Sequence, residues 1–440
     1  DVTRAFLQTT EINRNVYVYP PKEAGLPRGQ VWLLKRPAYG LIDAAHAFFI
    51  NFGDNLISLG CETSKMDNAT FYHFSDDSRP GDEERNLDGI VGSHIDDFLE
   101  VSSDEMRSEV IDEMKKRFTF GSHEELPFRY VGMNIEKEEE NVVINQDHFI
   151  EKLAAPELND VSSMKKETLL PEKHQTNFRS LVSKLNMLSM TARPDITFDV
   201  KILTTKYGKA TKHDLMQACK LLKKVKRMTT LITIPDMGNL KDLILVAYSD
   251  AATKKIDNAF SVAGHVIFLV NKATHNAVAL TWGSKKIERV VNSSLGAETI
   301  AVTKVIGSLY FIKESLKQMY GSKAGDIPCL TMIDSKDLFE AVHNIKTTQD
   351  KRLIGDIIQI KQAIAIDNII TELRLISGDD MLANCLTKGG QNGEALIDVL
   401  RGGSLHVPGG ESIQSSMKIH SSTWQKLIEA QSESFRSIHD

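Results

Sequence analysis

"GSHIDDFLEVSS", residues 92–103, sets two adjacent aspartates, Asp96 and Asp97, between flanks that alternate apolar and polar as a half-buried strand does. Carboxylates side by side at a strand end repel each other, and each opposes ionisation of the other. The residues alone leave two readings: an exposed acidic turn, or half of a cation site where a bound metal offsets the repulsion. Upstream, the strand-like "DVTRAFL" is headed by Asp1. Pairing of the two segments would converge three carboxylates. Mg²⁺ binds through one or two carboxylates plus waters and substrate phosphates, and two such ions can clamp the attacking and leaving oxygens of a phosphoryl transfer.

Around this stretch lies a chain of 440 residues, 41% hydrophobic and 25% charged, long enough for two to four domains. No uninterrupted apolar run reaches the roughly 18–20 residues of a membrane span, and no basic-then-apolar leader opens the chain. It starts at Asp1 without Met, as a fragment or processed piece of a longer protein would. Cys61, Cys219, Cys329 and Cys385 are far apart and make no C-x-x-C pair. That argues against a zinc site or disulfide framework and for a reducing compartment. The net charge of −6 is unevenly spread: residues 201–230 hold nine Lys/Arg and one acid, whereas residues 81–160 hold 22 acids and 8 bases. The basic strip suits a phosphate-tracking surface or, equally simply, a solvated helix face.

Four regions follow one another. Residues 1–135 mix strand-like runs ("VYVYP", "VWLLKR", "ATFYHF", "GIVGSHIDDFLEV") with helical ones, an α+β pattern. In "AAHAFFINFGDNLISLG" the apolar residues fall near helical spacing and Gly60 is the stop. "SSDEMRSEVIDEMKKRF" opens on a serine cap and acids and ends in bases. "SDDSRPGDEERNLD" reads as a charged loop. Residues 136–239 read as mostly helical and carry the basic strip. Residues 240–400 run strand, strand, strand, helix, strand, helix, an α/β pattern. Residues 401–440, rich in Ser and Gly, are expected to be poorly ordered.

The third region has its own acids. "AYSDAA" sets Asp250 on a central strand, "SSLGAET" sets Glu298 in the first turn of a long helix, and "TMIDSKD" sets Asp334 at a strand end. Each alone fits a surface acid or a dipole-stabilised helix N-terminal acid; the three contexts together are more specific.

"DVTRAFLQ", "VYVYPP", "VWLLKRPAYGLIDAAHAFF", "SHIDDFLEV" and "FRYVGMNI" together resemble the reverse transcriptase of copia-type LTR retrotransposons, and the Asp250–Glu298–Asp334 order resembles RNase H. The resemblance implies an α+β polymerase palm and thumb followed by an α/β RNase H-like domain, a mixed sheet with flanking helices. It implies RNA-directed DNA polymerase and RNase H activities with Mg²⁺, or Mn²⁺, as cofactor. Asp1, Asp96 and Asp97 would be the polymerase metal ligands, and Asp250, Glu298 and Asp334 those of RNase H. Phe6 would be the aromatic gate beneath the sugar, though a core aromatic is its bland reading. Gly40 would lie against the nascent base pair, or simply form a turn, and residues 130–133 ("YVGM") would hold the primer end. Lys220, Lys223, Lys224, Lys226 and Arg227 would contact backbone phosphates.

Departures stand beside the matches. His94 replaces the usual Tyr, and Asp43 replaces a Lys or Gln. Where the family has "LADxLTK", this chain has "LANCLTK", so Asn384 takes the place of an aspartate and Asp380, one turn upstream, is the candidate substitute. No basic fingers segment precedes Asp1, so an N-terminally truncated polymerase is expected. Implied partners are RNA template, DNA primer, RNA–DNA hybrid and dNTPs, with protease and integrase upstream in a parent polyprotein. The setting implied is a cytoplasmic virus-like particle, with no membrane and with DNA destined for the nucleus. The alternative is a catalytically dead or domesticated nucleic-acid-binding remnant, for which Asn384 and the missing fingers speak.

Overall fold

The structure, a computed structural model, describes residues 2–75, 78–254, 260–343, 350–390 and 393–414. Two units are formed: Asp1–Val131 with Lys313–Gly325, and Gly132–Ile312 with Asp326–Asp440.

In the first unit, helix α1 (Ala44–Ser58) forms because Ala44, Phe48, Phe52 and Leu56 recur every fourth residue and bury one face. Its stop is Gly60, at φ +95°. An antiparallel sheet follows in the order β1 (Glu62–Thr63), β2 (Thr70–Phe74), β3 (Leu87–His94), β4 (Asp97–Ser102). The run "GIVGSHIDDFLEV" is therefore a hairpin and not one strand. His94 pairs with Asp97 across a two-residue turn, Ile95–Asp96. Likewise "DVTRAFL" is only briefly extended: Val2 bridges Phe120, and Ala5–Gln8 form a 3₁₀ turn. Ser103 caps the next helical run by accepting from Met106 N, and Lys115, Lys116 and Arg117 close that run. The core is aromatic, with Phe52 stacked on Phe98 at 3.8 Å between centroids.

The charged loop before β3 hides a buried cation. Arg85 lies 3.5 Å over the Phe74 ring and donates to Glu62 Oε1 at 2.6 Å and to the Gln318 carbonyl at 2.8 Å. Gln318 lies in the Lys313–Gly325 segment of the same unit.

The second unit opens on a hairpin, Met133–Glu138 with Asn141–Asn145, where the sequence suggested mostly helix; Ile232–Ile234 pairs onto its second strand. Helices α2 (Glu172–Thr191), α3 (Thr197–Thr204) and α4 (Lys212–Arg227) follow. A capping box between Thr211 and Asp214 starts α4.

A six-stranded mixed sheet then forms in the order β7-β6-β5-β8-β9-β10, from β5 (Leu243–Lys254), β6 (Phe260–Asn271), β7 (Ala277–Lys286), β8 (Cys329–Ile333), β9 (Glu372–Leu375) and β10 (Glu411–Gln414). The first three strands are antiparallel, β8 and β9 add in parallel, and β10 closes the edge antiparallel. Helix α5 (Ser294–Tyr320) makes the crossover from β7 to β8. It is long and apolar enough to cross a membrane, but most of that stretch is buried in the protein. Helices α6 (Lys336–His343) and α7 (Ile354–Ala365) lie between β8 and β9, and α8 (Glu394–Gly402) precedes β10. The tail expected to be poorly ordered thus supplies a strand at 411–414, where Ile413 is buried. Residues 415–440 lie outside the described residues.

Candidate metal centre

Asp250 sits on β5, the strand with neighbours on both sides where the sheet changes from antiparallel to parallel. Asp334 directly follows β8, which pairs with β5, and Glu298 lies in the second turn of α5, not the first as the sequence suggested, because the helix already begins at Ser294. The fold brings one carboxylate oxygen from each within 4.8 Å of the others. Asp250 is 1% and Glu298 5% exposed, so water cannot screen the charges. Burial, reinforced by Asp250 and Asp334, pushes the Glu298 carboxyl up to about 9. Asp250 is raised by burial, with Thr387 and Lys388 pulling it back. Glu298 Oε2 is buried with no hydrogen-bond partner. Hard oxygen donors, crowded charge and an orphaned acceptor all suit a hard divalent cation.

Residues 382–388 pack over one side of the cluster. Thr387 Oγ1 donates to Asp250 Oδ2, and Lys388 Nζ lies 3.3 Å from the same oxygen. Lys388 also donates to Asn384 Oδ1, while Asn384 Nδ2 donates to the Gly378 carbonyl at 2.7 Å. Asn384 thus spends both ends of its amide within the protein. Asp380 is exposed and is not in the acid cluster. The close packing depends on Gly264, which pairs with Asp250 across the sheet. A Cβ there would lie 2.6 Å from Thr387 Cγ2 and 2.9 Å from Leu386 Cβ. Thr387, Lys388 and Gly264 escaped the sequence reading. The first two stand inside the quoted "LTK", where only the missing aspartate drew notice.

In the first unit Asp96 and Asp97 are half-buried at the hairpin tip. Ile95, beside them, has φ +59°, a left-handed conformation that a β-branched residue rarely adopts. Asp1 lies outside the described residues, but its neighbour Val2 donates its N–H to the Asp96 carbonyl at 3.0 Å. Burial, with a contribution from Asp97, raises the Tyr130 phenol. Phe6 is buried and packs against Tyr39 at 4.4 Å between centroids. Gly40 has φ +99°, with open space where a Cβ would point. His94 is exposed, and Asp43 pairs with Arg14 at 2.8 Å.

The basic strip divides in two. Lys220, Lys223, Lys226 and Arg227 are exposed on α4. Lys224 turns inward and lies 3.3 Å from the buried Asp195. Asp195 is itself gripped by Arg193 at 2.8 and 2.9 Å, and Arg193 also donates to the Val225 and Met228 carbonyls at the end of α4. Lys224 is therefore part of an internal ion network.

Residues 1–166 match the family described as reverse transcriptase (RNA-dependent DNA polymerase). The chain is 27% identical over 337 residues to the retrovirus-related Pol polyprotein from transposon RE1 of Arabidopsis thaliana, covering 72% of this chain but 21% of that protein. It is 23% identical over 323 residues to the putative transposon Ty5-1 protein of Saccharomyces cerevisiae, covering 70% of this chain and 99% of that protein. A foamy viral protease-reverse transcriptase solved in complex with RNA/DNA hybrid aligns over 86% of this chain and 43% of its own, at 11% identity and a TM-score of 0.44. An RNase H1 isolated from compost aligns over 35% of this chain and 98% of its own, at 16% identity and a TM-score of 0.26. The motif resemblance and the family match agree; the fold assignment rests on the strand order and register above.

Proposed function

Residues 1–166 carry the match to the reverse transcriptase family, and from that premise we propose that the chain is the polymerase and RNase H portion of a retrotransposon Pol polyprotein. Its second unit would hydrolyse the RNA of an RNA–DNA hybrid, and its first would extend a DNA primer with dNTPs. The observation that carries the reading is the convergence of Asp250, Glu298 and Asp334 within 4.8 Å, with Glu298 Oε2 unpartnered.

These three residues would hold Mg²⁺ or Mn²⁺, which supplies Lewis-acid stabilisation of charge developing on the scissile phosphate. The protein contributes placement. Thr387 holds Asp250 by a hydrogen bond, and β5 and α5 are rigid mounts for Asp250 and Glu298. Lys388 supplies positive charge at the cluster edge when no metal is bound. In the first unit Asp96, Asp97 and Asp1 would serve the primer reaction, with Phe6 and Gly40 at the nucleotide and residues 130–133 at the primer end. Lys220, Lys223, Lys226 and Arg227 would follow the backbone.

Incubation with a labelled RNA–DNA hybrid, and separately with primer–template and dNTPs, in Mg²⁺ tests both halves. Hybrid cleavage lost in Asp250→Asn is the expected result. Absence of cleavage and of extension, with the hybrid still bound, would favour the remnant reading, which Asn384 supports.

A further inference from the structure

The segment that covers the acid cluster brings a cation of its own. Lys388 is half-buried, and its Nζ lies 3.3 Å from Asp250 Oδ2 and 3.4 Å from Oδ1. Thr387 Oγ1 donates to the same Oδ2. The Lys388 backbone N–H donates to the Asn384 carbonyl at 3.0 Å, four residues back, so the two side chains lie on one face. Lys388 Nζ donates to Asn384 Oδ1, and the other end of that amide is fixed by the Gly378 carbonyl. One ammonium thus spans Asp250 and the position where the resembled family has its fourth carboxylate. An aspartate at residue 384 would take that charge in an ion pair; a neutral amide leaves it for Asp250.

We propose that the Lys388 ammonium stands in for a second divalent cation, so that the Asp250–Glu298–Asp334 cluster holds one ion and not two. A carboxylate shared between two ions gives an oxygen to each, and Asp250 Oδ2 is already occupied by Thr387 and Lys388. Asn384 Oδ1, at the fourth ligand position, is occupied as well. Charge points the same way. Three ionised carboxylates, one ammonium and one divalent ion sum to zero, whereas a second divalent ion would leave two positive charges uncompensated in a buried site. The unpartnered Glu298 Oε2 is left for the single ion. Gly264 makes the arrangement firm, because residues 386–387 rest on it without room for a Cβ. The inference rests on the hybrid-cleaving reading and adds how many ions serve it.

The test counts bound Mn²⁺ by electron paramagnetic resonance in the full chain carrying Asp96→Asn and Asp97→Asn, so that the hairpin tip of the first unit does not contribute. Counts are taken with and without a hybrid whose RNA strand is 2′-fluoro-substituted and resists cleavage, and ions that survive Asp250→Asn are subtracted. One ion is expected in both conditions; two in either would overturn the inference. Lys388→Met should bind that ion at least about tenfold tighter, because a like charge is gone. It should also melt lower in EDTA, because Asp250 loses its counter-charge. Lys388→Gln, which keeps a donor for Asn384, serves if Lys388→Met does not fold. An affinity that neither variant moves would count against the lysine just as firmly. Asn384→Asp combined with Lys388→Met should admit a second ion; a count that stays at one there would show that Lys388 does not hold the second place. A chain from which Asp250→Asn removes no ion would lose the metal site of the cleavage reading as well, an outcome distinct from a count of two, which removes the lysine's role alone.

Discussion

Glu298 is a side chain whose burial costs stability, a cost that a bound cation would offset. Its carboxyl is buried against two others and one oxygen lacks a partner. Glu298→Gln should raise the melting temperature in EDTA, abolish the further rise given by Mg²⁺ and reduce hybrid cleavage by about 10²-fold or more. A Mg²⁺-induced rise that survives the change would count against Glu298 as a ligand. Asn384 calls for the opposite experiment. Asn384→Asp forfeits the donation to the Gly378 carbonyl but adds a carboxylate beside Lys388. It should lower the Mg²⁺ concentration that gives half-maximal cleavage; an unchanged titration curve would mean the position is indifferent. His265 offers a pH test free of metal. Its pKa is pushed down to about 4, chiefly by burial. The unfolded chain therefore binds the extra proton between about 6.5 and 4, so stability is full above that window and falls as pH drops through it. Denaturant melts should show a loss on the order of 3 kcal/mol at most across the window, and His265→Gln should flatten it.

At the scale of elements, the ion network at the end of α4 and the hairpin tip give the sharpest tests. Arg193→Met leaves Asp195 buried with only the half-buried Lys224 beside it, and should cost about 3–5 kcal/mol in chemical denaturation. The double change Arg193→Met with Asp195→Leu should recover part of that loss. Ile95→Gly relieves a left-handed β-branched residue and should stabilise the first unit by about 1 kcal/mol, seen as a higher unfolding midpoint. The same elements show why the sequence was legible only in part. Asp250, Glu298 and Asp334 each sit in a local context that announces strand or helix, so their convergence could be anticipated. The two-residue turn at Ile95–Asp96 preserves the alternation of its flanks, so periodicity runs through it and the hairpin reads as one strand. Arg85 stands in a run of charges that looks like solvated loop, and nothing local signals the Phe74 face waiting for it. Thr387 and Lys388 meet Asp250 only because Gly264 lets residues 386–387 settle on the sheet, a tertiary fact without periodic trace.

For the molecule as a whole, the two units are not consecutive stretches of chain. Lys313–Gly325, the end of α5 and the turn after it, belongs with Asp1–Val131. There Gln318 accepts from Arg85, and Gly321 lies so close to Glu83 that a Cβ would stand 2.5 Å from its carbonyl oxygen. The helix whose first turns carry Glu298 therefore ends as structural material for the unit that carries Asp96 and Asp97. The genetic consequence is a shared fate. A stop codon or frameshift before codon 313 strips the second unit of Asp334, and it also leaves the Arg85 guanidinium without its carbonyl partner at Gln318. Damage to the downstream reading frame would thus be felt in the upstream product, and the downstream part of this gene could not be lost with the upstream unit left intact.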